Sequence, residues 1–330
     1  MNNYSSAFHH RQVLITGGLG FIGSNLARRL LALGADITLV DSLIPEYGGN
    51  IFNIDGIEDR VRVNISDVRD RHGLRYLVQG KDYLFNLAGQ TSHLDSMRDP
   101  FADMEINCMA QLAILEACRH FNPNIKIVFA STRQIYGKPD YLPVDEKHLL
   151  RPVDVNGVNK MAGEQYHILY NNVYGVRACA LRLTNTYGPR MRIKDARQTF
   201  LGVWIKHVVE GKPFEVWGGE QLRDFTYVDD AVDAFLLAAT NPNAYGKIMN
   251  LGGDGVICLK SLAEMLIAAA GGGEYLLRDF PEERKRIDIG DYYSNFQYIQ
   301  SMLHWNPKTP LQKGLSQTVE FYRQNLPYYL

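Results

Sequence analysis

The sequence predicts an α/β protein in which a doubly wound parallel sheet precedes a smaller carboxyl-terminal domain. Residues 13–30 form an apolar run that breaks on glycines and resumes with helical spacing, as expected for a strand, a tight turn and a helix. Up to about residue 180, short apolar runs alternate with helical patterns, which is typical of a parallel sheet covered by helices on both faces. From about residue 190, helices mix with short strands and turn residues. We therefore predict a Rossmann-like domain at 12–184 and a second domain at 185–330, whose segments can interleave.

The glycine-broken turn has the features of a dinucleotide-binding site. Its glycines permit a tight turn, a close approach of the backbone to a pyrophosphate and close helix–strand packing, and the following helix begins with unpaired N–H groups. The next apolar run ends in Asp41, whose carboxylate can accept both ribose hydroxyls of NAD and repel the 2′-phosphate of NADP. We therefore predict that NAD binds at Gly17, Gly20, Phe21, Ile22, Gly23 and Asp41.

Three later strands extend the predicted crevice, because parallel strands point their carboxyl ends to one edge of the sheet. The strand at 61–65 leads to Asp67 and Val68, which lie either against the adenine or in a surface turn. The strand beginning at Tyr83 runs into small residues that let a cofactor lie close, and a further strand delivers the Thr132 hydroxyl. The predicted cofactor site therefore also includes Asp67, Val68, Leu87, Ala88 and Gly89.

Composition excludes several classes of protein. The 330 residues are 46% hydrophobic with a formal net charge of −1, which suits a globular chain and provides no basic field for nucleic acid or an anionic membrane. No apolar run approaches the length of a membrane span. The four cysteines are far apart and lack metal-ligand spacing, and no secretory signal is recognisable, so we expect reduced thiols, no metal and a cytoplasmic location. The first eleven residues are polar, and we expect them to fray.

Several motifs follow one another along nearly the whole chain. They are the glycine turn with Asp41, Asn107, Trp305-Asn306-Pro307, and the segments 87–90, 131–137, 185–190 and 223–230. Together they resemble the extended short-chain dehydrogenases/reductases, in the nucleotide-sugar epimerase/dehydratase group. The resemblance implies NAD in the first domain and a nucleoside-diphosphate sugar in the second. It also implies that a sugar hydroxyl is oxidised by hydride transfer to NAD⁺ and that the hydride often returns.

The family's proton-transfer residues are only partly present. The family uses a tyrosine whose pKa is lowered by a lysine four residues later, together with a Ser or Thr hydroxyl. Lys160 and Thr132 match the lysine and the hydroxyl, and we also expect Lys160 to bind the cofactor. Asn156 stands where the tyrosine is expected, and an amide does not exchange a proton near neutral pH. Three explanations stay open. His93, in the substrate-facing loop, acts as the base or only binds substrate; Thr132 and Lys160 relay the proton through water; or the chain binds both ligands without turnover.

The residues after Thr132 narrow the reaction. Family 4,6-dehydratases carry an Asp-Glu pair there and related decarboxylases keep the Glu, whereas this chain has Arg133 and Gln134. We therefore predict an NAD-dependent nucleotide-sugar epimerase, most like a UDP-sugar 4-epimerase, with Asn156 in place of the usual tyrosine. The alternatives are a nucleotide-sugar oxidoreductase or dehydratase, and a catalytically impaired protein that binds NAD and a sugar nucleotide.

The resemblance also assigns a substrate site and a partner. Asn185 and Arg223 match positions that bind the pyrophosphate, and guanidinium suits phosphate through bidentate hydrogen bonds. Arg286 resembles the arginine of a segment that meets the nucleoside, although the spacing here is longer. The family further implies a homodimer packed through the helices predicted at 101–121 and 154–173. The predicted substrate-binding residues are Ser92, Thr132, Asn185, Arg223 and Arg286.

Overall fold

The computed structural model describes residues 4–282 and 287–330. Its strands are β1 (Gln12–Thr16), β2 (Asp36–Asp41), β3 (Arg62–Ile65), β4 (Tyr83–Asn86), β5 (Lys126–Thr132), β6 (Arg177–Leu183), β7 (Asn185–Tyr187), β8 (Phe214–Trp217), β9 (Leu222–Arg223), β10 (Phe225–Tyr227), β11 (Ile248–Asn250), β12 (Ile257–Cys258) and β13 (Tyr275–Arg278). Its helices are α1 (Phe21–Ala32), α2 (Arg71–Leu77), α3 (His93–Arg98), α4 (Pro100–Met104), α5 (Ala110–Phe121), α6 (Val155–Tyr174), α7 (Phe200–Val209), α8 (Val228–Thr240), α9 (Leu259–Ala270), α10 (Gln297–Leu303) and α11 (Leu311–Asn325). A π-helical turn, Glu105–Met109, joins α4 to α5.

The central sheet has seven parallel strands in the order β11-β6-β5-β4-β1-β2-β3. The chain winds outward from β1 to β3, returns to place β4 beside β1, and then winds outward in the other direction. The strand order therefore reverses between β1 and β4, and in such sheets a ligand crevice opens at the carboxyl ends of the two strands. The predicted doubly wound parallel sheet is confirmed.

Both faces of the sheet are covered by helices, which explains why its central strands are apolar throughout. Successive residues of β1 point to opposite faces. Val13 and Ile15 belong to a core that includes residues of α1 and α8, whereas Leu14 belongs to a core that includes residues of α2 and α5.

The sheet draws on both predicted domains. Its edge strand β11 and the covering helix α8 come from beyond residue 185. The sheet therefore contains residues from both sides of the boundary at 184–185, and the division into two domains stays a prediction.

The amino-terminal segment differs from the expectation. Tyr4 and Phe8 are buried, the Phe8 ring centroid lies 4.8 Å from that of Tyr83, and the Tyr4 hydroxyl donates to Asp233 at 2.6 Å. The expected fraying is therefore wrong for residues 4–11. The segment is polar overall, but burial of its two aromatic side chains holds it against the rest of the protein.

A second apolar core lies in the carboxyl-terminal half. Trp204, Phe214, Leu262 and Tyr322, from α7, β8, α9 and α11, are buried in it, and Phe21 of the glycine turn joins them. The glycine turn therefore connects the sheet to this second core. Within residues 4–282 and 287–330, there is neither a helix long and apolar enough to cross a bilayer nor a cluster of side chains suited to a metal ion.

Candidate active site

A cavity of about 810 Å³ lies at the carboxyl ends of the parallel strands, a size usual for small-molecule and cofactor sites. Its wall includes Val40 of β2 and Trp204 of the second apolar core. Arg286 lies outside the described residues. The other predicted site residues all line this cavity: Gly17, Gly20, Phe21, Ile22, Gly23, Asp41, Asp67, Val68, Leu87, Ala88, Gly89, Ser92, His93, Thr132, Asn156, Lys160, Asn185 and Arg223.

The glycine turn has the geometry of an anion cradle. Gly17 has a φ of +66°, which favours glycine. A Cβ at Gly23 would lie 2.2 Å from the Gly17 carbonyl oxygen, so only glycine lets α1 pack this closely on the turn. Gly20 caps α1 without a side-chain hydrogen bond, which leaves the first N–H groups of the helix available to a ligand. The turn therefore fits the pyrophosphate of a dinucleotide.

Asp41 ends β2 at the cavity wall, where two backbone groups hold its carboxylate. Oδ2 accepts a hydrogen bond from the Leu19 N–H at 3.1 Å and Oδ1 from the Leu43 N–H at 3.0 Å. Burial raises the pKa of Asp41, and these N–H groups oppose that rise. A carboxylate held in this way retains further lone pairs that can accept ribose hydroxyls.

Asp67 and Val68 lie on the same wall as Asp41, at the end of β3. The Asp67 carboxylate is bound by Arg69, whose Nη2 lies 2.7 Å from Oδ2. Both residues line the cavity, and Val68 also lies in a turn, so their contact with the adenine stays a prediction. Because Arg69 is hydrogen-bonded to the Asp67 carboxylate, Val68 is the residue of this pair that offers an apolar contact for an adenine ring.

Lys160 on α6 is a buried cation beneath the loop that follows β4. Its Nζ donates to the Ala130 carbonyl at 3.1 Å. Burial lowers the pKa of Lys160 to about 8, and the charge of Asp103 opposes the shift. A Cβ on Gly89 would lie 2.9 Å from Nζ, so glycine gives the lysine its position. Such an ammonium can stabilise a developing oxyanion or exchange a proton near neutral pH.

Asn156 belongs to a buried cluster around one carboxylate. Its Nδ2 donates to the Gln90 carbonyl at 2.8 Å and to Asp103 Oδ2 at 3.0 Å. Asn107 donates to the same Oδ2 at 3.0 Å, and Asn159 donates to Oδ1 at 2.8 Å. Asp103 is fully buried. Both N–H groups of Asn156 therefore serve protein acceptors, which ties α4, α6 and the loop after β4 together.

His93, the first residue of α3, lies beside a buried carboxylate. Its Nδ1 is 2.9 Å from Asp154 Oδ2, an ion-pair distance, although the two atoms do not meet the geometric criteria for a hydrogen bond. Asp154 also caps α6 through the Gly157 N–H at 2.6 Å and accepts from Gln134 Nε2 at 2.8 Å. Burial raises the pKa of Asp154, but His93, the Gly157 N–H and Gln134 together outweigh it, so that the pKa lies below its ordinary value. With Nδ1 held in this way, Nε2 is the ring nitrogen left for a ligand.

Two predicted hydroxyls have partners inside the protein. Thr132 Oγ1 accepts from the Gln134 N–H at 3.2 Å at the end of β5. Ser92 caps α3 by accepting from the Asp95 N–H at 3.1 Å. A hydroxyl that accepts a backbone N–H still has its own hydrogen to donate to a substrate oxygen.

Asn185 and Arg223 lie on β7 and β9 and line the cavity from the carboxyl-terminal half of the chain. Arg223 Nη1 donates to the Leu222 carbonyl at 2.9 Å, and its Nη2 lies 3.4 Å from Asp288 Oδ1. The Asn185 amide donates to the Asp224 carbonyl at 3.0 Å and accepts from Arg133 at 2.9 Å. The two predicted anion-binding residues therefore share this wall with a third polar residue, Arg133.

Sequence reasoning missed three residues that shape the site: Asp103, Arg133 and Asp154. Asp154 carried a local signal, because an Asp directly before a helical pattern is a typical N-cap. Asp103 carried a weaker signal, since it precedes Asn107 by one helical turn. The contacts of Asp154 with His93, and of Arg133 with Asn185, join segments more than 50 residues apart and have no local signature.

Comparison with known proteins gives consistent matches across the chain. Residues 13–252 match the model of the NAD dependent epimerase/dehydratase family. A Methanocaldococcus jannaschii protein provisionally named a UDP-glucose 4-epimerase is 32% identical over 317 residues, which cover 95% of this chain and 99% of that protein. A UDP-glucose 4-epimerase of Thermotoga maritima, crystallised with UDP-glucose, superposes with a TM-score of 0.87 at 27% identity, covering 96% of this chain and 99% of that one. A UDP-glucuronic acid 4-epimerase of Bacillus cereus, crystallised with UDP-glucuronic acid and NAD, has a TM-score of 0.84 at 26% identity, with 95% and 99% coverage.

Proposed function

The chain belongs to the NAD-dependent epimerase/dehydratase family, whose cofactor is NAD, and we propose that it is a nucleotide-sugar epimerase, most like a UDP-sugar 4-epimerase. Two relatives named for 4-epimerisation of a UDP-sugar cover 95% or more of the chain. Arg133 and Gln134 line the cavity after Thr132 and supply no carboxylate for the elimination of water. This favours epimerisation over dehydration.

The observation that carries the proposal is the His93–Asp154 pair on the wall that also bears Lys160 and Thr132. We infer that Asn156 occupies the place of the family's tyrosine and has a structural role there, because its N–H groups are bound within the Asp103 cluster. The acid–base role then falls to His93, which combines a carboxylate partner with access to the cavity.

In this mechanism each side chain has one task. The Thr132 hydroxyl holds the sugar oxygen that reacts. His93 Nε2 takes the hydroxyl proton while Asp154, charged and buried, stabilises the imidazolium that forms. The Lys160 ammonium stabilises negative charge on the same oxygen. The glycine turn and Asp41 would hold NAD⁺, which would supply the hydride acceptor. The protonated His93 would then return its proton to the sugar oxygen when the keto group is reduced.

The test is turnover of a panel of nucleotide sugars by the NAD-loaded protein. UDP-glucose, UDP-N-acetylglucosamine, UDP-glucuronate, dTDP-glucose and CDP-glucose are added one at a time. Absorbance is followed at the reduced-nicotinamide band, and the products are identified by NMR. We expect transient reduction and one epimer. Neither reduction nor epimer with any of the five would contradict the enzymatic proposal and favour a protein that binds both ligands without turnover.

Substitution of His93 tests the acid–base assignment separately. Because general acid–base catalysis contributes about 10²- to 10⁴-fold, His93→Gln is expected to lower kcat by that range with little change in sugar-nucleotide affinity. His72→Gln, at an exposed position on α2, is the matched control and keeps wild-type kcat. Full turnover in His93→Gln would remove His93 from the mechanism.

We also propose that the protein is a homodimer, as the family resemblance implies. Phe101 and Val173, on α4 and α6, are 71% and 60% exposed, and Met109 of the connecting turn is 42% exposed. Large apolar side chains on neighbouring helices are typical of an interface. Light scattering should give twice the chain mass, and Phe101→Asp should lower it. A monomer at micromolar concentration would contradict the proposal. The cytoplasmic location stays a prediction.

A further inference from the structure

Arg133 has an incomplete set of partners at the cavity wall. It follows Thr132 directly at the end of β5. Its Nη2 donates to Asn185 Oδ1 at 2.9 Å, and its Cζ lies 5.1 Å from the centroid of the Tyr292 ring. Its Nη1 is shielded from solvent and has no hydrogen-bond acceptor in the described part of the chain. Arg133 as a whole is partly exposed, but a shielded guanidinium nitrogen requires an acceptor.

The neighbouring acids have other partners. The Asp224 carboxylate accepts from the Thr184 hydroxyl and from the Ser294 N–H. Asp288 pairs with Arg223 and accepts from a backbone N–H at 2.9 Å. The charge of Arg133 is therefore attracted to both acids without being paired to either.

A second guanidinium lies close to Arg133. Burial, and then the charge of Arg133, lower the pKa of Arg223 to about 10. Both side chains line the same cavity. Two positive charges that are partly shielded from solvent repel each other, and an anion bound between them relieves that repulsion. Asn185 does not relieve it, because its side chain is a neutral amide.

We propose that Arg133, together with Arg223, binds an oxyanion of the sugar nucleotide. This inference rests on the proposed function, because the oxyanion is part of that substrate. A guanidinium presents parallel donors that match both phosphate and carboxylate. The diphosphate or a carboxylate on the sugar can supply the anion, and a side chain of opposite charge at this position would repel either.

The test compares wild type with Arg133→Gln, both loaded with NAD, by calorimetric titration with UDP, UDP-glucose and UDP-glucuronate. Loss of a charge-assisted contact to a phosphate should weaken all three ligands on the order of 10- to 100-fold. Loss confined to UDP-glucuronate would assign the anion to a sugar carboxylate. Either result supports the inference. Equal affinities of the two proteins for all three ligands would overturn it.

Two variants separate binding from folding and from net charge. Arg133→Lys keeps the positive charge and should bind more tightly than Arg133→Gln but less tightly than wild type. An ammonium attracts the anion but lacks the parallel N–H donors of a guanidinium. Arg60→Gln removes one positive charge at an exposed position and should leave all affinities unchanged. NAD content and thermal midpoint are measured for each variant to show that it is folded. If wild type holds NAD yet binds none of the ligands, the proposed function is contradicted along with this inference, whereas equal binding by wild type and Arg133→Gln contradicts the inference alone.

Discussion

Replacing Asp154 by Asn is the sharpest perturbation of the proposed site. In the native protein Oδ1 caps α6 at 2.6 Å from the Gly157 N–H, and Oδ2 meets Gln134 Nε2 at 2.8 Å and His93 Nδ1 at 2.9 Å. If the Asn side chain keeps its oxygen toward the Gly157 N–H, its NH₂ group faces Gln134 Nε2 and His93 Nδ1, which need an acceptor. If the amide is flipped, its NH₂ group faces the Gly157 N–H and the helix cap is lost.

The magnitude follows from those contacts. Hydrogen bonds to a charged group contribute about 1.5–3 kcal/mol each, and loss of an N-cap costs about 1 kcal/mol. We expect Asp154→Asn to lower the free energy of unfolding by about 2–3 kcal/mol. We also expect kcat to fall about 10²-fold or more, because His93 loses the partner that fixes its tautomer and stabilises its charged form.

The dependence on pH gives an independent check. The pKa of Asp154 is lower in the folded than in the unfolded protein. Its contribution to the free energy of unfolding is therefore fully present above the unfolded-state pKa of about 3.9, and it is lost as the pH falls through the folded-state pKa. The stability difference between wild type and Asp154→Asn should therefore persist at pH 5–7 and shrink below about pH 4. Urea unfolding at several pH values measures this difference.

A double-mutant cycle distinguishes positioning from capping. If Asp154 acts through His93, the variant with both Asp154→Asn and His93→Gln should lose no more kcat than His93→Gln alone. Asp70→Asn is the matched control, since the Asp70 side chain caps α2 at an exposed site and does not line the cavity. Wild-type kcat in Asp154→Asn, or losses that multiply in the double variant, would refute the reasoning.

Three further predictions concern the cofactor half of the cavity. The pKa of Lys160 is lowered to about 8 in the folded protein, below its unfolded-state value of about 10.4. Between pH 7 and pH 10, the free energy of unfolding of wild type should therefore rise by about 2–3 kcal/mol relative to that of Lys160→Met. A difference between the two proteins that does not change with pH would contradict the burial of this charge. Gly23→Ala places a Cβ 2.2 Å from a backbone oxygen and should abolish NAD retention and cost about 1–3 kcal/mol, whereas Gly20→Ala, with its nearest contact at 3.1 Å, should be milder; equal calorimetric results for the two would refute the packing argument. Asp41→Ser should reduce the preference for NAD over NADP at least about tenfold in fluorescence titrations, with exposed Asp36→Ser as control, and an unchanged preference would exclude Asp41 from ribose recognition.

The sequence alone determined the fold class, the succession of strand, turn, helix and strand around the glycine turn, and the cofactor. These features depend on local chemistry: apolar periodicity along each element, glycine at a turn of positive φ, and an acidic residue at the end of the next strand. Only the tertiary structure decided how the polar residues pair. Asn156 joins Asp103, His93 joins Asp154, and Arg133 turns toward Asn185 with one nitrogen unpaired. The physical reason is that these partners lie 52 to 61 positions apart in the chain, so their contacts depend on how helices and strand ends pack, which no local pattern encodes.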